Sequence, residues 1–546
     1  MTELKRNKVF VRVYENGQTI SLDPTETVPD SPLSWEVEET EDRFRLILHT
    51  KEEVNLATAG VKFTFDFHRN DRLFLNGYQS WTDSREWTVN GKMRGLDRLP
   101  RLIVRRYALT GYGDYGFAEY GKVGRLHGFS YAYIRRGDTF LLLGSLAENS
   151  GYTLIRFNTQ GGTVSLRKDC DGRKVKGDFV LFDFLVLKGT EDEVFDKWFA
   201  AMGIPKPRGG RITGYTSWYN RYQDISQAII EEDLAGFAGL EKKPDVFQID
   251  DGYESFVGDW LSVDPVKFPR GMKEIASQIR EAGMLPGLWL APFAAEKESA
   301  LAKEHPDWIL RDEDGVPPDA GSNWSGCYGL DIYNEEVRDY LKKVFRTVLD
   351  EWGYGLVKLD FLYACCMLPR PDKTRGEIMA DGMAFLRELC GDAILLGCGV
   401  PLASAFGIAD YCRIGCDVSL SWNDAMRMRI LHRERPSTRN TILNTVFRRQ
   451  LNGRAFWNDP DVFLLREENL KLKDREKKIL ATVNALFGGV LFTSDNVGTY
   501  PPETKAFYEK IAALSPAAFR GAELERNTVV IRYEDNGEER KIRIRL

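Results

Sequence analysis

The sequence predicts a multidomain β plus α/β protein: an N-terminal β-sandwich over residues 1–205, a central (β/α)8 barrel over 206–513 and a small C-terminal antiparallel β domain over 514–546. Three observations carry that prediction. At 546 residues the chain is too long for one ordinary core. Its first part alternates apolar and polar residues with period two, the mark of half-buried strands. From residue 211 the rhythm changes to short apolar strands separated by helical patterns, repeated eight times.

Taken in order, the runs 44–48, 62–67 and 179–187 read as strands, with turn signals at Asn16-Gly17, Gly137-Asp138 and Gly161-Gly162 between such runs. The Pro- and Gly-rich stretch 203–210 reads as a linker. The eight barrel strands are predicted at 212–218, 246–250, 285–291, 356–361, 393–398, 411–415, 454–458 and 490–495. Helices are expected over 225–237, 271–282 and 335–352, the last with Val337, Tyr340, Leu341, Val344, Phe345 and Val348 on one face. The sixth helix leaves no clear pattern. A helix near 502–513 leads to a hairpin formed by 529–533 and 541–545 around Asp535-Asn536-Gly537.

Composition narrows the function. With 43% hydrophobic and 29% charged residues, a net charge of -6 and no basic block, neither nucleic acid nor an anionic membrane is an expected partner. No stretch is apolar enough for a signal peptide or a membrane span. Eight scattered cysteines, with Cys365 and Cys366 adjacent, fit reduced thiols in the cytoplasm. The five histidines show no ligand spacing, and Cys412 and Cys416 lack zinc partners, so no metal and no cofactor is expected.

The chemistry concentrates where barrels keep it, at the C-terminal ends of the strands. Those ends carry Trp218, Asp250, Asp251, Trp289, Lys358, Asp360, Cys398, Arg413, Asp417, Asp459 and Asp461. Lys358 and Asp360 are two residues apart and share one strand face, so the ammonium is expected to keep the carboxylate ionised, as a nucleophile requires. Strands four and six have the same parity and place Asp360 and Asp417 in one layer. Paired carboxylates of this kind serve glycoside hydrolysis. Asp459 and Asp461, around Pro460, read as braces of the seventh strand-to-helix loop.

The ordered stretches GYTSWYN (214–220), FQIDDGY (247–253), GLWLAP (287–292), KLDF (358–361), GCGVP (397–401), RIGCD (413–417) and FWNDPD (456–461) resemble glycoside hydrolase family 36 α-galactosidases (melibiases) of the compact bacterial type. Together they run the length of the barrel. That resemblance implies an N-terminal β-supersandwich, with Asp360 as nucleophile and Asp417 as acid/base. It implies that Asp250 and Lys358 bind sugar hydroxyls with Asp251 nearby, and that Arg413 meets the hydroxyl beside the anomeric carbon. Trp218, Tyr219, Trp289 and Cys398 would line the pocket, with Trp81 supplied from NGYQSW (76–81), a loop reaching over the barrel mouth. The implied substrate is a small α-galactoside. An α-N-acetylgalactosaminidase, a transglycosylase or a silent sugar-binding protein on the same framework are the alternatives; oligomeric state is not legible.

Overall fold

The structure is a computed structural model that describes residues 4–25, 33–426, 428–526, 528–535 and 537–545. Residues Met1 to Glu3 and the expected turn residue Asn536 lie outside the described residues. A 12-stranded antiparallel sheet comes first, organised around the 22-residue strand Arg43–Thr64. That strand pairs with Lys5–Glu15, Leu33–Glu39, Thr163–Lys168 and Lys174–Gly189. Alternation sends Leu46, Leu48, Val61, Phe63, Val164 and Leu166 into a core of the domain's own.

The helix Glu191–Met202 leaves this sheet, started by a capping box between Thr190 and Glu193 and ended by Gly203 at φ +64°. Its buried Val194, Phe195, Trp198 and Phe199 lie on one face. A donor bond from Trp198 Nε1 to the Ser145 carbonyl (3.1 Å) fixes the helix against the sheet.

The parallel sheet that follows contains the eight expected strands, each shorter than its sequence pattern: Ile212–Thr216, Val246–Ile249, Leu285–Leu290, Leu356–Leu359, Ile394–Gly397, Tyr411–Arg413, Trp457–Asp459 and Val490–Thr493. Neighbouring strands pair in parallel from the eighth through the first to the seventh. The seventh strand is broken. Trp457–Asp459 pairs with the sixth strand, Val462–Phe463 pairs with the eighth, and Asp461 turns between them at φ +72°. A bond from Gly489 N to Asn458 O (2.8 Å) helps close the barrel across this break.

The obscure sixth helix is Thr438–Phe447, begun by Ser437, whose side chain accepts from Asn440 N. The 335–352 pattern is helical to Arg346 and continues as one wide π turn, Thr347–Glu351. Besides the helix Glu191–Met202, two larger features had no counterpart in the pattern. A three-stranded antiparallel sheet (Ala294–Glu296, Asp319–Gly321, Cys327–Gly329) fills the third strand-to-helix connection. The C-terminal hairpin gains a third strand, Phe519–Glu525, beside Thr528–Asp535. Among the described residues no helix is long and apolar enough to cross a membrane.

Candidate active site

The strand ends open on a cleft of about 250 Å³. Of the residues singled out in the sequence, Trp81, Trp218, Asp250, Asp251, Trp289, Lys358, Asp360 and Asp417 border it. Tyr219, Cys398 and Arg413 are buried behind that lining.

Asp360 stands just beyond the fourth strand, held by a ladder bond from its own N–H to Leu290 O (2.8 Å). The chain then turns sharply, with Phe361 at φ +52°, a left-handed position that costs a non-glycine residue roughly 1–3 kcal/mol and is typical of functional turns. The turn aims the Phe361 N–H at Asp360 Oδ1 (2.8 Å), and Trp289 Nε1 donates to Oδ2 (3.2 Å). Gly399 lies against this turn: a Cβ there would sit 2.9 Å from Phe361 N and 3.0 Å from the Trp81 ring.

The lysine's direct partner is not the one that strand geometry suggested. Lys358 Nζ bonds to Asp250 Oδ2 at 2.8 Å, and Asp360 receives its charge only at longer range. Burial dominates Asp360 and raises its carboxyl above the ordinary value; Lys358, Cys398 and the Phe361 N–H oppose the rise, and Asp417 adds to it. Asp250 is buried as well, but Lys358, the Asp251 N–H and Gln248 outweigh that and leave it below its ordinary value. Asp251 accepts from Trp324 Nε1 (2.8 Å) and Gln223 Nε2 (3.1 Å). Burial raises both Asp251 and the adjacent Glu254, the latter strongly.

Arg413 is 3% exposed and ion-paired with three carboxylates: Asp417 at 2.9 Å, Asp459 at 3.0 Å and Asp461 at 2.9 Å. With its fork engaged in this way it anchors Asp417, whose side chain is 39% exposed to the cleft. Asp461 also accepts from Val418 N (2.7 Å) and from the Tyr219 hydroxyl. The two aspartates around Pro460 therefore brace the loop carrying Asp417 as well as their own. Burial lifts Asp461 to about 7 against the pull of Arg413.

One cleft wall comes from the first domain. Ser80 N donates to Val400 O (2.9 Å), Gln79 pairs with Pro401, and Trp81 Nε1 lies 3.2 Å from Cys398 Sγ. Arg448, fully buried, donates to Asn76 Oδ1 (2.9 Å), Ser80 O (2.6 Å), Gln79 O (3.3 Å) and Ile414 O (2.8 Å). Its partners are carbonyls, not carboxylates, and burial lowers its pKa to about 10.

The cleft also contains Phe361 of the KLDF stretch, and Tyr112, Ser322, Asn323, Trp324, His432, Glu434 and Pro436, which motif spacing did not single out. Apart from Phe361 and Pro436, their sequence signal is no more than aromatic or polar residues in long unpatterned loops. His432 stacks on Tyr112 at 4.7 Å, and Glu434 Oε1 accepts from Thr82 (2.8 Å).

Residues 217–377 match the family model described as Melibiase. α-Galactosidase 2 of Pediococcus pentosaceus is 37% identical over 140 residues, 26% of this chain and 18% of that protein. α-Galactosidase Mel36A of Lactobacillus acidophilus is 32% identical over 153 residues, 26% of this chain and 20% of that protein. The chain thus spans about a fifth of the length of these curated relatives. TtGalA, an α-galactosidase from Thermus thermophilus solved with p-nitrophenyl α-D-galactopyranoside, shares the fold over 91% of this chain and 98% of its own, at 29% identity and a TM-score of 0.72.

Proposed function

We propose that this chain, whose residues 217–377 match the melibiase family model, is a retaining α-galactosidase that removes terminal α-linked galactose from small oligosaccharides. The observation that supports it most is the placement of two carboxylates, Asp360 and Asp417, on one small cleft whose walls are indoles and hydrogen-bonding acids. Carboxylates and amides suit sugar hydroxyls, and indole suits the apolar face of the ring.

In this reading Asp360 attacks the anomeric carbon as the bond to the leaving oxygen breaks, and Asp417 gives that oxygen its proton. Asp417 then takes a proton from water, whose oxygen displaces Asp360 from the covalent galactosyl intermediate. Two inversions return the starting α configuration. Trp289 and the Phe361 N–H hold the attacking carboxylate in aim, Arg413 holds the acid/base, and Asp250, Asp251 and Lys358 grip hydroxyls. Trp81 and Trp218 cover the ring. Arg413 and Cys398 reach the sugar only through the residues in front of them.

The division at 205 and 513 and a cytoplasmic location belong to the same proposal; all eight cysteines are free thiols, as a reducing compartment keeps them. Hydrolysis of nitrophenyl α-galactoside beside its N-acetylgalactosaminide, followed by proton NMR, tests it. α-Galactose as the first-formed sugar is expected. A β first product refutes retention, preference for the second substrate makes the enzyme a galactosaminidase, and silence on both leaves a sugar-binding protein.

A further inference from the structure

A second groove, of about 580 Å³, lies on the outer face of the first domain's sheet and shares no lining residue with the cleft. Five adjacent strands build it: Arg125–Phe129, Thr153–Asn158, Thr163–Lys168, Arg43–Thr64 and Lys5–Glu15. Alternation that sends Ile155, Phe157, Val164, Leu166, Val61 and Phe63 into the core sends Arg156, Ser165 and Lys62 outward. Register aligns those three in one row, Arg156 opposite Ser165 and Ser165 opposite Lys62.

The groove is lined by Arg12, Lys62, Arg125, Arg156 and Arg167 against one acid, Glu119, which pairs with Lys122 at 3.1 Å. None of the five cations has an ion-pair partner among the described residues. Lys62 stands directly opposite another lysine, Lys8, and like charges facing each other across strands destabilise a sheet. Burial and the nearby Arg167 together lower the half-buried Arg156. In a chain of net charge -6, such a concentration of unpaired cations favours an anion in the groove.

The remaining lining narrows the ligand. Phe10 packs against Gly60, where a Cβ would come within 2.5 Å of the ring, and Arg12 lies over the ring at 5.4 Å from its centroid. The ring stays partly exposed at the groove, apolar surface for the C–H groups of a sugar beside the cations. Thr58 orients Arg167 through a 2.9 Å bond to its Nε, and the Phe117 carbonyl holds one end of Arg156 (2.7 Å). Both arginines are thereby set with the rest of their planar forks free, the geometry that grips carboxylate or sulfate bidentately. Ser165, Thr163 and Asn158 supply hydroxyl partners between them. The volume is that of a small-ligand site.

We propose that this groove binds an acidic oligosaccharide, one whose sugars carry carboxylate or sulfate groups. The inference is independent of the hydrolytic reading of the cleft. Titration calorimetry of the full chain at low ionic strength tests it, with trigalacturonate, a heparin-derived tetrasaccharide, neutral galactotriose and inorganic phosphate as probes. At least one acidic oligosaccharide is expected to bind, and whichever binds tighter identifies the anionic group. Arg156→Ser combined with Arg167→Ser should weaken it by about tenfold or more, the loss of one or two charge-assisted bonds. Lys62→Gln, on an exposed position, gives a smaller loss in the same direction and guards against misfolding of the double variant. Hydrolysis of nitrophenyl α-galactoside by these variants should equal that of the unsubstituted chain. Four results would overturn the proposal: no binding of either acidic sugar, equal binding of galactotriose, equal displacement by phosphate at the same molarity, or affinity unaltered by the substitutions.

Discussion

Lys358 and Asp250 meet at 2.8 Å across the barrel, from the fourth and second strands, with side chains 7% and 3% exposed. Removing one member of such a pair strands a buried charge, so Lys358→Met should cost about 3–5 kcal/mol of stability. Adding Asp250→Asn to that variant should recover part of the loss, because neither charge is then left alone. Urea unfolding of the two single variants and the double one checks this; strictly additive costs would mean that the pair is not coupled.

Burial raises Asp360 above the ordinary aspartate value of 3.8. The folded protein therefore holds this proton more tightly than the unfolded chain does. Its contribution to stability is complete below the unfolded pKa and is lost as pH climbs through the folded one. Attack requires the ionised form, so the acid limb of kcat/KM should lie above pH 3.8. The Cys398 thiol favours the ionised carboxylate and lowers its pKa, hence Cys398→Ala should move that limb to higher pH while the plateau rate survives. A limb that stays in place excludes the thiol from this role.

Asp417 separates good leaving groups from poor ones. Asp417→Ala should still be glycosylated by a nitrophenyl galactoside, because nitrophenolate departs with little protonation. The missing base then stalls deglycosylation, lowering kcat and KM together. Azide should restore turnover and yield the α-galactosyl azide. Asp360→Ala should be inactive on every substrate, and any azide product formed should be the β anomer. Equal loss on both kinds of leaving group with no rescue would remove Asp417 from the acid/base role.

Trp81 comes from the first domain yet borders the cleft, edge-on to Phe361 with ring centroids at 5.1 Å. Trp81→Ala should raise KM strongly for nitrophenyl α-galactoside while the far-ultraviolet dichroism is kept. Unaltered kinetics would make the loop a brace.

Arg448 holds that loop through five oxygens spread over two domains. Arg448→Met leaves the buried carbonyls without a donor, each costing about 1–3 kcal/mol. The expected result is a lower thermal midpoint and a raised KM resembling that of Trp81→Ala; a drop in stability with KM intact would show that the loop holds its place by other contacts.

The barrel was legible because its eight strands are short apolar runs in regular alternation with helices, and because motifs such as KLDF and GCGVP stand at their ends in order. What escaped was long-range partnership. Strand periodicity puts Lys358 and Asp360 on one face but cannot say that Asp250, 108 residues earlier, takes the ammonium. Nor can it show that Asp459 and Asp461 belong to Arg413, 46 residues from the first of them. Trp324 sits in a loop without period, at φ +57°, and the strand Phe519–Glu525 is too polar to register as one.

The bond between Arg448 and Asn76 spans 372 residues, and that span sets a timetable for biosynthesis. At ribosomal rates of roughly 5–20 residues per second, the first domain would wait about 20–75 s before its anchoring arginine emerges. Throughout that interval the NGYQSW loop, with an indole and several unbonded carbonyls, has nothing to close against. The sandwich can form its own core early, but the cleft wall it contributes cannot be set until most of the barrel has been made. A nascent chain halted before Arg448 should therefore expose Trp81 to solvent and to chaperones, however well its first two hundred or so residues have folded.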